Sequence, residues 1–225
     1  MIWFKILSSS VGKKFIIALL GLLLIIFLTT HLSINLLLVF SDSTETFNQV
    51  AHFLGTNIIT RTIEVILFLL FLLHIATGTL LQIQNWRARP EGYKVSNYTS
   101  QQSFFSRWMF HTAVVLFIFL IIHLTDFFYK IKFSEEIGSV QIKGKECLDI
   151  AALVIDKFQL TGYIIFYLIA FIVLSFHLNH GFQSAFQTLG VNQKKYTPFI
   201  RLVGKAYSIV IPAGFAFIAL YFYFQ

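Results

Sequence analysis

From Phe15 to Phe40 the chain runs 26 residues without one charged side chain. About 20 consecutive apolar residues suffice to cross the hydrocarbon core of a bilayer as a helix. Four further apolar stretches follow, at about residues 63–84, 107–128, 158–182 and 206–224. Continuous runs of this length exclude the two-residue alternation of a membrane barrel and leave helices to satisfy the backbone in lipid. The expected fold class is therefore all-α: a polytopic membrane protein with five transmembrane helices, forming one integral-membrane domain over residues 1–225.

Composition agrees, with 57% hydrophobic and only 12% charged residues, against about 25% charged in soluble domains. Lys5, Lys13 and Lys14 precede the first run much as cations precede the core of a signal peptide. That run is too long and lacks a small-residue cleavage site, so a retained first helix is expected. The single cysteine, Cys147, allows neither an internal disulfide nor a thiolate metal site. Any redox chemistry must come from a bound cofactor.

Five spans place the N-terminus, residues 85–107 and residues 183–205 on one side of the membrane. That side holds eleven cations and one acid, Glu91, a balance of +10. The other side holds six cations and nine acids, a balance of −3. Cytoplasmic segments are enriched in Lys and Arg, so a cytoplasmic N-terminus and an external C-terminus are expected. The cations flank spans rather than forming a stripe with interleaved aromatics, which argues against nucleic acid as a partner. They suit anionic lipid head groups or a protein docked on the cytoplasmic face. The one long connection, about residues 131–157, contains "ECLDIAALVIDKF", whose apolar residues recur at helical spacing and predict an amphipathic interfacial helix.

The histidines narrow the function. His31, His74, His123 and His177 lie deep in spans one to four, and span five has none. Ionisable residues inside membranes are rare and normally face the bundle interior, so four in successive helices suggest a shared site. His31 is 17 residues after Lys14 and 11 before Asp42; His123 is 16 after Arg107 and 7 before Lys130. Both fall in the outer half of their spans. His74 lies 13 residues from both Arg61 and Arg87, and His177 lies 20 after Lys157, past the midpoint. Depth thus sorts an outer pair, His31 with His123, from an inner pair, His74 with His177.

Two imidazoles at one depth on facing helices suit a low-spin haem held at both axial positions, which leaves no open site for oxygen. Two such pairs would make an electron wire, with the first four helices forming a haem-binding bundle. A lone membrane histidine is as readily explained by an interhelical hydrogen bond. A zinc or proton-relay site would instead cluster histidines at one depth with carboxylates beside them. Gly78 and Gly181 each follow a histidine by four residues, on the same helix face, where a missing side chain leaves room for a flat macrocycle. For either glycine alone, close helix packing is the better explanation.

With "SSSVGKKFIIALLG" leading to "THLSIN", "FLLHIATGTLL", "FLIIHLTDF" and "FHLNHGFQSAFQTLG" in that order and spacing, the chain resembles the five-helix, di-haem cytochrome b subunits. These anchor bacterial succinate dehydrogenases and fumarate reductases in the cytoplasmic membrane. The resemblance covers essentially the whole chain. It implies a membrane anchor carrying two b-type haems, with pairs His31/His123 and His74/His177 as axial ligands. Electrons would pass between a flavoprotein and iron-sulfur pair on the cytoplasmic face and a quinone, with menaquinone favoured. Succinate itself would be oxidised on the flavoprotein, not here. The family's fourth-helix pattern selects His177 with Gly181 and leaves His180 a non-ligand; His180 and His111 become candidates for hydrogen bonds to haem propionates or to the ligands, with lipid head-group contacts an equal alternative.

Two positions depart from the family. Some fumarate-reducing relatives carry a proton-transferring glutamate where Ser175 stands, and relatives place a carboxylate near the quinone in the stretch matching "AHFLGTN", which has none. His52, Asn57 and Arg61 are the substitutes available there. Two other readings stand beside this one: the cytochrome b of a quinone-linked formate dehydrogenase or hydrogenase, and a histidine-containing transporter. The second lacks the internal repeats and broken spans expected of it.

Overall fold

The computed structural model describes residues 9–88, 104–134, 136–191 and 193–225. Lys5, Arg89, Glu91, Lys94 and Glu135, which entered the charge balance above, lie outside the described residues. Five helices are long and apolar enough to cross a membrane: Val11–Phe40, Ile58–Arg87, Trp108–Phe133, Thr161–Thr188 and Thr197–Tyr223. They belong to α1 (Ser10–Phe40), α3 (Ile58–Arg87), α4 (Phe104–His123) with its continuation, α7 (Thr161–Thr188) and α8 (Thr197–Tyr223). The chain is therefore a helical protein with the character of a membrane protein.

The first turn of α1 is closed by Ser9, whose side chain accepts a hydrogen bond from Gly12 N at 3.0 Å. A short helix, α2 (Thr44–Thr56), follows α1 and runs into α3 through Asn57 alone. Asn57 ends α2 and begins α3: its backbone N–H donates to Phe53 O, while its side-chain oxygen accepts from Ile59 N at 2.9 Å and Thr60 N at 3.4 Å. Helix α2 belongs to a stretch that sequence periodicity leaves as a connection.

After His123 the helix widens into a π-helical turn, Leu124–Tyr129, before one last α-helical turn, α5 (Lys130–Phe133). The long connection then forms a hairpin, β1 (Ser139–Ile142) antiparallel to β2 (Lys145–Leu148). Its two turn residues, Lys143 and Gly144, have φ of 51° and 75°. That is the pair of positive φ values that matches the twist of a tight hairpin. The helix expected within "ECLDIAALVIDKF" is α6 (Ile150–Phe158), and it begins later than expected because Glu146, Cys147 and Leu148 pair with β1.

These connections make a cap at one end of the bundle. Asn48 of α2, 2% exposed, latches it: Nδ2 donates to Asp149 Oδ1 at 2.9 Å, and Oδ1 accepts from Ala151 N at 2.9 Å. Beneath the cap, Phe47, Val154 and Phe158 join Leu38, Ile164, Tyr167 and Phe222 in one core. The core lies among α1, α7 and α8. Helix α8 packs closely there. A Cβ on Gly214 would come within 2.8 Å of Leu32, and one on Gly204 within 2.7 Å of Phe182. Small residues at such contacts are how membrane helices gain van der Waals contact without a hydrophobic drive between them. No described residue of α3 is buried, nor is any from Trp108 to Phe133.

Candidate functional site

Helices α1, α3, α4 and α7 each contribute one deep histidine, and the structure brings them together at two levels. Nearer the cap, His31 and His123 have ring centres 5.9 Å apart with planes at 88°. Phe27 stacks on His31 at 5.4 Å, and Phe119 stacks on His123 at 5.6 Å. Phe215 of α8 closes the other side of His31 at 5.6 Å. The span without a histidine therefore still lines this level. Farther from the cap, His74 and His177 lie within electrostatic reach of each other, with His180 also near His177.

Two hydroxyls from neighbouring helices address these rings. Tyr167 OH of α7 lies 3.2 Å from His123 Nδ1, and Thr112 Oγ1 of α4 lies 3.2 Å from His177 Nδ1. Neither residue was singled out by sequence. Tyr167 is 2% exposed, and His123 is its hydrogen-bond partner. Thr112 also donates to Met109 O at 2.8 Å. A hydroxyl carries one proton, so Thr112 accepts at its other contact, and His177 Nδ1 carries the hydrogen. The lone pair of His177 is thereby left on Nε2.

Beyond His123, toward the cap, an ionic cluster surrounds the π-helical turn. Lys157 Nζ lies 2.6 Å from Asp126 Oδ1, and Tyr163 OH donates to Asp126 Oδ2. Lys157 also sits 4.5 Å above the Tyr163 ring. Glu64 pairs with Lys132 at 2.9 Å, tying the start of α3 to α5. Both acids of the spans are thus neutralised near the cap rather than standing beside the histidines.

The spacing of the upper pair is one that a bis-imidazole haem would need. Metal–imidazole bonds are about 2 Å and a ring centre lies about 1 Å behind its nitrogen, so imidazoles on opposite sides of one metal have centres about 6 Å apart. The upper pair matches that separation. At the lower level His74 Nδ1 is buried without a hydrogen-bond partner among the described residues. Helix α1 approaches the same ring through Gly21, where a Cβ would lie 3.7 Å from His74 Cε1. Among the described residues no group of three or more His, Cys, Asp or Glu side chains gathers as a metal site. Zinc normally takes three or four protein ligands. A macrocycle brings four nitrogens of its own and asks the protein for two.

The remaining sequence candidates fall as follows. A Cβ on Gly78 would meet Ile17 Cδ1 at 3.2 Å, and one on Gly181 would meet Met109 Cε at 3.7 Å, so both glycines face neighbouring helices. His111 is exposed, with its ring 4.8 Å from that of Trp108. His180 is half-buried below His177. His52 lies on α2, where its carbonyl accepts from Thr56 Oγ1 at 2.8 Å. Asn57 spends its side-chain oxygen on capping α3, and Arg61 is exposed in the first turn of that helix. No family model, no curated protein and no solved structure matches the chain.

Proposed function

We propose that this chain is the di-haem cytochrome b subunit that anchors a bacterial succinate:quinone oxidoreductase in the cytoplasmic membrane. The observation that carries the reading is the pairing of four intramembrane histidines, from four different helices, at two levels. His31 and His123 would hold one b-type haem and His74 and His177 the other, and each would supply a reversible one-electron carrier.

The chain's own residues explain why electrons rather than substrates would use this site. Phe27, Phe119 and Phe215 surround the upper rings and keep water from them. Along α4, Thr112 and His123 mark the two levels and are eleven residues apart, about 16 Å at 1.5 Å per residue. Two carriers that far apart divide a hydrocarbon core of about 30 Å into short steps. The charge balance supports an orientation with the cap outside and the basic end in the cytoplasm, where the flavoprotein and iron-sulfur subunits would dock. Menaquinone would then exchange electrons near the cap. His52 and Arg61 remain the polar side chains available to it, since Asn57 is committed to its helix cap.

Purified protein should show a b-type band in its dithionite-reduced minus oxidised spectrum, with two haems per chain. His177→Ala should leave one haem, and His180→Ala should leave two. A spectrum without a b-type band would sink the reading, and a ratio of one in the unaltered protein would reject the second haem.

A further inference from the structure

The two hydroxyl contacts of α4 and α7 form a crossed pattern. Helix α4 carries His123 and reaches His177 with Thr112; helix α7 carries His177 and reaches His123 with Tyr167. The two residues on α4 are eleven apart and the two on α7 are ten apart. Running antiparallel, the helices therefore meet in register at both levels, each lending a hydroxyl to the other's histidine. No hydrogen bond among the described residues engages Nε2 of either ring, so in both cases Nδ1 is the held nitrogen and Nε2 is left free.

We propose that Thr112 and Tyr167 are positioning residues that set the tautomer and orientation of His177 and His123, presenting Nε2 of each ring as the iron-binding nitrogen. This rests on the di-haem reading above. The direction at Thr112 follows from proton counting. Its hydroxyl proton is committed to Met109 O, so it can only accept from His177 Nδ1–H. At Tyr167 the contact itself permits either direction; iron on Nε2 of His123 would place the hydrogen on Nδ1 and make the phenol oxygen the acceptor. A ligating imidazole whose other N–H is held by an oxygen becomes a stronger donor and favours the oxidised metal. Loss of either hydroxyl must then favour the reduced state of one haem, the one at its own level.

A different role is open to the same contacts: interhelical hydrogen bonds of membrane proteins often serve only as weak glue. The two roles separate in a potentiometric titration of both haems, each signal assigned by the single-haem His31→Ala and His74→Ala variants. Tyr167→Phe should keep two haems and raise the reduced-to-oxidised ratio of the haem nearer the cap, at fixed ambient potential, on the order of tenfold. Tenfold is about 59 mV for one electron. Thr112→Val should do the same to the other haem, and Thr112→Ser should restore its unaltered midpoint. Each variant should also change the low-spin electron paramagnetic resonance line of its own haem alone.

Two haems with unmoved midpoints in both variants would overturn the proposal while leaving the di-haem reading intact. Equal movement of both midpoints in either variant would also overturn it, as the mark of a loosened interface. If Tyr167→Phe or Thr112→Val cost the chain both haems, Thr112→Ser decides, because a shifted midpoint there contradicts the accepting role of the hydroxyl. Absence of b-type haem from the unaltered protein would refute the di-haem reading and this one with it.

Discussion

Phe171 on α7 is 7% exposed within the protein, whereas Leu69 on α3 is 52% exposed, and the contrast extends along both sets of helices. Helices α1, α7 and α8 interlock through Leu32, Phe171, Gly204 and Gly214, under a cap held by hydrogen bonds and a core of its own. Helix α4 packs along α7 through Phe119, which meets Phe166, Tyr167 and Phe171, while α3 meets α1 at Phe27 and Phe71, α4 at Trp86 and Phe110, and α5 through the Glu64–Lys132 ion pair. Each histidine level takes one ring from each half, His31 with His123 and His177 with His74. The packed half carries the buried core, and the open half lies on its outside and completes both histidine levels.

Three substitutions probe this contrast by thermal unfolding in detergent micelles. Phe171→Ala removes a buried ring that stacks on Phe215 at 5.7 Å, and should destabilise by about 3 kcal/mol, the scale of a large core truncation. Gly214→Val forces new atoms toward Leu32 and should cost about 1–3 kcal/mol as overpacking. Leu69→Ala, on the open face of α3, should change stability by about 0.5 kcal/mol or less. If Leu69→Ala proved as damaging as Phe171→Ala, α3 would be packed in solution and the division into halves would fail. A harmless Gly214→Val would mean that α8 can move away from α1, and the packed half would not be rigid.

Much of the architecture is legible in the chain because a membrane span announces itself by length and apolarity alone. Spans one to five fall where the apolar runs fall, most ends extended by several residues through caps such as Ser9 and Asn57, while span four begins at Thr161 rather than 158 because Phe158 closes α6. The levels of the histidines were also readable, since depth along a helix follows from residue count. What a single sequence does not state is rotation. Which residue of α7 meets His123 depends on how α4 and α7 turn toward each other, and so Tyr167 and Thr112 were invisible among ordinary apolar and polar positions. Gly21, which faces His74 on another helix, is hidden for the same reason, as are the neighbours of Gly78 and Gly181, Ile17 and Met109. The cap was obscured because its strands are four residues long and its turn uses Lys-Gly, a weaker hairpin signal than Asn-Gly.

The Asn48 latch also has a consequence for how the protein comes into being. Asn48 and Asp149 are 101 residues apart, in the first and third connections of the bundle. The latch cannot close until α3 and α4 have been made and the hairpin has followed them to the same side of the membrane. Tyr167 and Phe222, which complete the core beneath it, emerge later still. Biogenesis therefore passes through a stage in which α1 and α2 are made and the end of the bundle stands unroofed until the third connection arrives.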